Sequence, residues 1–171
     1  MIKNTFVSVS ILFILASSLS FSHDLISKKY QTIESVIETY YKAVSGPAGK
    51  HDWSLMREIC LPNAQFNAMG ITAEGTNRFH PQSMEEYFKH LGKYLENYGF
   101  YQEEIFRRVD RYANIAHVFS TFQSRMEPEG DFIDKGVFSF QLIYDKERWW
   151  IANVLWHSAT KENPIPEEFL K

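Results

Sequence analysis

The stretch Ile115-Ala116-His117-Val118-Phe119-Ser120-Thr121-Phe122-Gln123-Ser124-Arg125-Met126 decides the reading of this chain. Its residues change character with period two, so it forms a β-strand with two different faces. One face presents Ile115, His117, Phe119, Thr121, Gln123 and Arg125. The other presents Ala116, Val118, Ser120, Phe122, Ser124 and Met126. The second face is small and mostly apolar and suits packing against another sheet. The first mixes aromatic bulk with hydrogen-bonding groups, as a ligand cavity requires. The same mixture also describes a solvated sheet face with Phe119 stacked on a neighbouring strand, and both readings stand.

Around this stretch the period-two pattern recurs. Phe100–Asp110, Gly136–Tyr144 and Trp149–His157 are rich in aromatic and β-branched residues, and Arg111–Asn114, Pro128–Lys135 and Asp145–Arg148 supply turns. Four strands joined by short turns predict an antiparallel meander. Upstream the period changes. Ile33, Val36, Ile37, Tyr40, Tyr41 and Val44 form one face of a helix that Gly46-Pro47 ends. Trp53, Met56, Ile59 and Cys60 mark a short second helix capped by Asp52. Ala64–Met69 reads as a strand and Gly70–Gln82 as a surface loop. Ser83 and Glu86 make a capping box for a third helix, whose face runs from Met84 through Tyr87, Phe88, Leu91, Tyr94 and Leu95 to Tyr98.

Composition bounds the classes. The chain has 171 residues, 44% of them hydrophobic and 16% aromatic, with one Cys. That supports one packed domain and excludes a disordered or disulfide-stapled chain. A formal charge of −3 argues against a nucleic-acid binder. Lys3, the apolar run Thr5–Leu15 and the small residues of Ala16–Ser22 follow the order of a secretory signal peptide cleaved near Ser22–His23. The expected organisation is a leader over 1–22, an N-terminal segment over 23–32, a domain over 33–158 and a polar tail over 159–171. The mature protein is expected outside the cytoplasm, in the periplasm or secreted, with no membrane segment after cleavage. The lone Cys60 is expected to be a buried, inert thiol.

Groups able to carry chemistry are few. The six histidines show no helical zinc spacing, no Cys pair accompanies them, and no hydrolase, P-loop or dinucleotide motif occurs. Neither a metal nor a cofactor is expected. Glu103, Glu104, Arg107 and Arg108 share one strand, and strict alternation puts Glu103 with Arg107 and Glu104 with Arg108. Strict alternation also gives Trp150, Ala152, Val154 and Trp156 a common face.

The order of elements resembles the NTF2-like superfamily, which includes SnoaL-like and ketosteroid-isomerase-like proteins. The residues that carry the resemblance are Val36-Ile37-Glu38-Thr39-Tyr40-Tyr41-Lys42-Ala43-Val44, Leu61-Pro62-Asn63-Ala64, Asn114-Ile115-Ala116-His117-Val118 and Arg148-Trp149-Trp150-Ile151. A further pattern, from Gly99-Phe100 through Arg107-Arg108 to Ser124-Arg125, is similar to a bacterial group of the superfamily without assigned activity. The resemblance implies an α+β cone: a curved antiparallel sheet wrapped around about three helices, with a pocket. It names no activity, because the superfamily hosts enzymes, binders and assembly modules. Against ketosteroid isomerase, Tyr40 matches the oxyanion-hole Tyr. Ala68 stands where the general-base Asp would be, and Val137–Tyr144 holds no carboxylate. Isomerisation needs both a base and an oxyanion donor, so that activity is not expected.

Three expectations follow. The first is a pocket for a small, partly apolar or aromatic ligand, lined by Tyr40, His117, Phe119, Gln123, Arg125 and Trp156. The second is a lyase, isomerase or hydrolase working through a His–Glu pair, with His117 and Glu104 as candidates. The third is a homodimeric scaffold packed through a convex face of Ala116, Val118, Ser120 and Phe122.

Overall fold

The computed structural model describes residues 29–72 and 75–171. The expected leader over 1–22 lies outside the described residues. Among the described residues three helices, α1 (Ile33–Val44), α2 (Ser54–Ile59) and α3 (Met84–Leu95), pack on one six-stranded sheet. Its strands are β1 (Cys60–Ile71), β2 (Asn77–His80), β3 (Tyr101–Tyr112), β4 (Ile115–Arg125), β5 (Phe132–Asp145) and β6 (Arg148–Ser158), in the order β2-β1-β6-β5-β4-β3. The meander β3–β6 is antiparallel, as the turns predict. β1 pairs parallel with β6, so the sheet is mixed rather than wholly antiparallel. The expected loop over 70–82 contains β2, which folds back on β1 as a hairpin. Cys60 opens β1 instead of closing α2, and it is buried.

The helices form where the periodicity places them. Thr32 caps α1, its hydroxyl accepting from the Ser35 N–H. Ser83 and Glu86 close the capping box of α3. The apolar stripe of α1 lies on the sheet, where Tyr40 makes edge contacts with Phe138 and Phe140 at 5.3 and 4.9 Å between ring centres. Phe66, Tyr87 and Phe122 complete an aromatic interior.

The face of β4 that enters this core is the one with Ala116, Val118, Ser120, Phe122 and Ser124, all buried. This corrects the expectation of a convex dimer face built from Ala116, Val118, Ser120 and Phe122. The physical reason is volume. The small residues on β4 leave room for the large side chains opposite them, as where Ser120 stands across from Phe138.

Two bulges break strict alternation. In β3 the register slips between Glu104 and Phe106, which brings Glu104 and Arg107 to the inner face and leaves Glu103 and Arg108 on the outer one. In β6 it slips opposite Gln141 and Leu142, so Trp149, Ile151, Val154 and Trp156 face inward and Trp150 does not. The expected pairings Glu103–Arg107 and Glu104–Arg108, and the common face of Trp150 and Trp156, fail for this reason.

Described residues on both sides of 33–158 pack against that span. Tyr30 is buried, and its carbonyl accepts from the Trp149 N–H. The Arg148 guanidinium lies between the Tyr30 and Trp150 rings and donates to the Glu58 carbonyl. At the other end a short 3-10 turn, Glu167–Phe169, packs on the outer face of β3 and β4.

Candidate functional site

The structure divides the expected pocket between two sides of the sheet. Tyr40 and Trp156 lie inside, linked through Tyr87 and Phe138. His117, Phe119, Gln123 and Arg125 lie outside and do not meet Tyr40. They share a side, as period two requires, but it is the side away from α1. Each is engaged there. Arg125 donates to Glu103 at 2.7 Å and covers the Phe132 ring, and Gln123 donates to the other Glu103 oxygen. Phe119 meets the C-terminal turn. His117 Nε2 lies 2.7 Å from the Ser139 hydroxyl. The expected pair of His117 with Glu104 is therefore split, one residue on each face of the sheet.

On the inner face a hydrogen-bonded chain joins α1 to β3 and β4. The Ser120 hydroxyl donates to Glu104, so the Tyr41 hydroxyl, 2.6 Å from Ser120 Oγ, must donate to it. Arg107 clasps the same carboxylate, with Nε 2.9 and 3.1 Å from its two oxygens. Burial pushes the Tyr41 phenol well above its ordinary range, which keeps it a neutral donor. Glu104 thus has its acceptor capacity taken up by Arg107 and Ser120. The chain serves as a clasp, and it leaves no free base for proton abstraction.

Nearer the sheet end the Gln102 amide donates to Ser124 and the Ser158 hydroxyl donates to Asp134, each at 3.0 Å. Burial raises the Asp134 carboxyl above its usual range. The sequence reading passed over Asp134 because it sits in a segment assigned to a turn.

A cavity does open on the outer face, at the end of the sheet formed by β3, β4 and β5. Register builds it from two cross-strand rows. Asp110 stands opposite His117, which stands opposite Gln141, and Tyr112 stands opposite Ile115, which stands opposite Ile143. The bulge residue Ala152 borders the groove, whose volume is about 520 Å³. Its walls are apolar, and Tyr112 and Ile115 are 80% and 58% exposed. Asp110, Arg111, His117 and Gln141 are its polar and charged lining residues. Of the expected ligand residues, His117 alone lines it. Tyr112, Ile143 and Gln141 were missed, although Ile115 and Tyr112 flanking a turn were a visible signal of unpartnered apolar surface.

Among the described residues no three His, Cys, Asp or Glu side chains come together as a metal-binding set, and no helix is long and apolar enough to cross a membrane.

No protein-family model and no curated protein matches the chain. Solved structures do. A protein of unknown function with a cystatin-like fold from Nostoc punctiforme is 8% identical over 75% of this chain and 90% of its own, with TM-score 0.58. A ketosteroid isomerase-like protein from Parabacteroides distasonis is 14% identical over 77% and 91%, with TM-score 0.51. An NTF2-like protein of unknown function from Shewanella baltica is 16% identical over 75% and 92%, with TM-score 0.49. The chain shares the α+β fold of the first two of these structures, helices packed on one curved sheet.

Proposed function

We propose that this is an exported NTF2-like domain that binds a small, flat, largely apolar or aromatic ligand with one hydrogen-bonding group. The site is the outer-face groove beside His117 and Gln141, not the interior of the cone. One observation carries this reading: a cavity of about 520 Å³ with mostly apolar walls and Asp110, Arg111, His117 and Gln141 among its lining. Small-molecule sites have this size and make-up. The inner face supports it less, because Tyr40, Phe66, Tyr87, Phe138 and Phe140 are buried against one another. Export rests on the residue order of 1–22, and mass spectrometry of the secreted protein tests it by locating an N-terminus near His23.

Titration with 2-naphthol, followed by its fluorescence, tests the site. The native chain should bind saturably, and Ile115→Asp, a change at an exposed position, should weaken binding at least tenfold. Equal binding by the two proteins would count against the groove. The exposure of Tyr112 and Ile115 favours one second reading, a homodimer through this same face. Sedimentation at micromolar concentration separates the two: a dimer dissociated by Ile115→Asp, with no 2-naphthol binding, would favour the scaffold.

A further inference from the structure

The C-terminal turn sits in a slot that has the features of a peptide site. Thr121 is buried on the outer face, and its hydroxyl donates to the Phe169 carbonyl at 2.6 Å. The Phe169 ring meets Phe119 edge to face at 5.1 Å between centres. The Arg108 guanidinium lies 4.8 Å from the Phe119 ring centre and 5.1 Å from that of Phe169, so it is held by both rings. Arg108 Nε makes no hydrogen bond, although the Asp110 carboxylate lies 3.7 Å from it as an ion-pair partner. A main-chain hydrogen bond, an aromatic anchor and a cation beside it are the parts from which peptide-recognition sites are built. The segment that fills the slot carries Glu167 and Glu168 before Phe169, and Glu167 pairs with Lys171 at 3.7 Å.

The connection to this segment is longer than its span requires, even with a hydrogen-bonded turn over Thr160–Asn163. The Ala159 N–H donates to the Lys135 carbonyl at the end of β6, and the tail then passes over β5 to reach β4. The lateral step is two strand spacings, about 10 Å. About ten residues of chain could reach ~33 Å if extended. Pro164 and Pro166 are exposed and donate no backbone hydrogen bond. Nothing in this geometry requires that the occupant belong to the same chain.

We propose that Arg108, Phe119 and Thr121 form a recognition site for an acid-flanked Phe peptide, filled in cis by Phe169 and able to take the same segment from a second copy of this chain. Exchange of identical segments is a low-cost route to association. The site adjoins the outer groove, His117 packing on Phe119 and Asp110 pairing with Arg108, but its test uses a peptide and no groove ligand.

The test uses the full chain with Phe169→Ala, which vacates the slot at a surface position, and a fluorescein-labelled peptide of residues 163–171. Anisotropy should show saturable one-to-one binding to this variant. Binding to the native chain should be at least tenfold weaker, because a tethered tail competes at an effective concentration in the millimolar range. A peptide carrying Phe169→Ala should bind at least tenfold more weakly than the native peptide. Adding Thr121→Val to the Phe169→Ala chain should also reduce binding. No saturable binding to the Phe169→Ala chain, or equal binding by the two peptides, would overturn the proposal.

Discussion

Replacing Glu104 by Ala tests the inner clasp. In the native protein the Glu104 carboxylate accepts from Arg107 and from Ser120, which in turn accepts from Tyr41. Its side chain and that of Arg107 are 19% and 17% exposed. Removing one partner of a fully buried pair costs about 3–5 kcal/mol, since the other charge is left uncompensated. Water reaches this pair in part, which lowers the cost to about 2–3 kcal/mol. For a domain of this size each kcal/mol moves the melting temperature by about 3–4 °C, so Glu104→Ala should lower Tm by ~6–12 °C. Glu104→Gln keeps an acceptor for Ser120 and should lose less. Thermal and urea denaturation followed by circular dichroism measure both, and the cycle with Arg107→Ala should give a coupling of at least ~1 kcal/mol. The exposed pair Arg57–Glu85 is the control, where the loss should be within ~1 kcal/mol. A Glu104→Ala loss below ~0.5 kcal/mol would refute the reasoning.

Three more outcomes are expected. Lys146 and Glu147 join β5 to β6 with φ of 51° and 65°, a turn that favours Asn-Gly, so Lys146→Asn with Glu147→Gly should stabilise the protein by about 1 kcal/mol in urea denaturation. Burial pushes the Cys60 thiol far up, so it should resist iodoacetamide at pH 8 in the native state and react once unfolded. The raised carboxyl of Asp134 contributes stability fully below its unfolded pKa and loses that contribution as pH rises through the folded value. Asp134→Asn should therefore flatten the fall in stability above the usual carboxylate range, as urea midpoints across pH 3–8 would show.

The helices and the meander were legible because their periods are clean. The α1 stripe from Ile33 to Val44 is unbroken, and the capping box fixes the start of α3. The facing of β4 was not legible from β4 alone. Both of its faces carry Phe and hydroxyl residues, so parity gives two equivalent choices. The missing signal lay in the partner strand: Phe138, Phe140 and Leu142 are the apolar set of β5, and register places them opposite Ser120, Val118 and Ala116. Bulges in β3 and β6 then moved Arg107, Arg108 and Trp150 out of phase, and one extra residue reverses every later side chain. The fate of the tail was hidden for a different reason. One Phe in a run with Pro and Glu has no periodicity, and its partner Phe119 is far away in sequence.

The location of the ligand site is tested most directly by amide chemical-shift mapping of the ¹⁵N-labelled protein during titration with 2-naphthol. The account predicts saturable shifts centred on Tyr112, Ile115, His117, Gln141 and Ile143, which disappear in Ile115→Asp. Shifts centred on Tyr40, Tyr87 and Trp156 that persist in Ile115→Asp would contradict it and return the site to the interior of the cone.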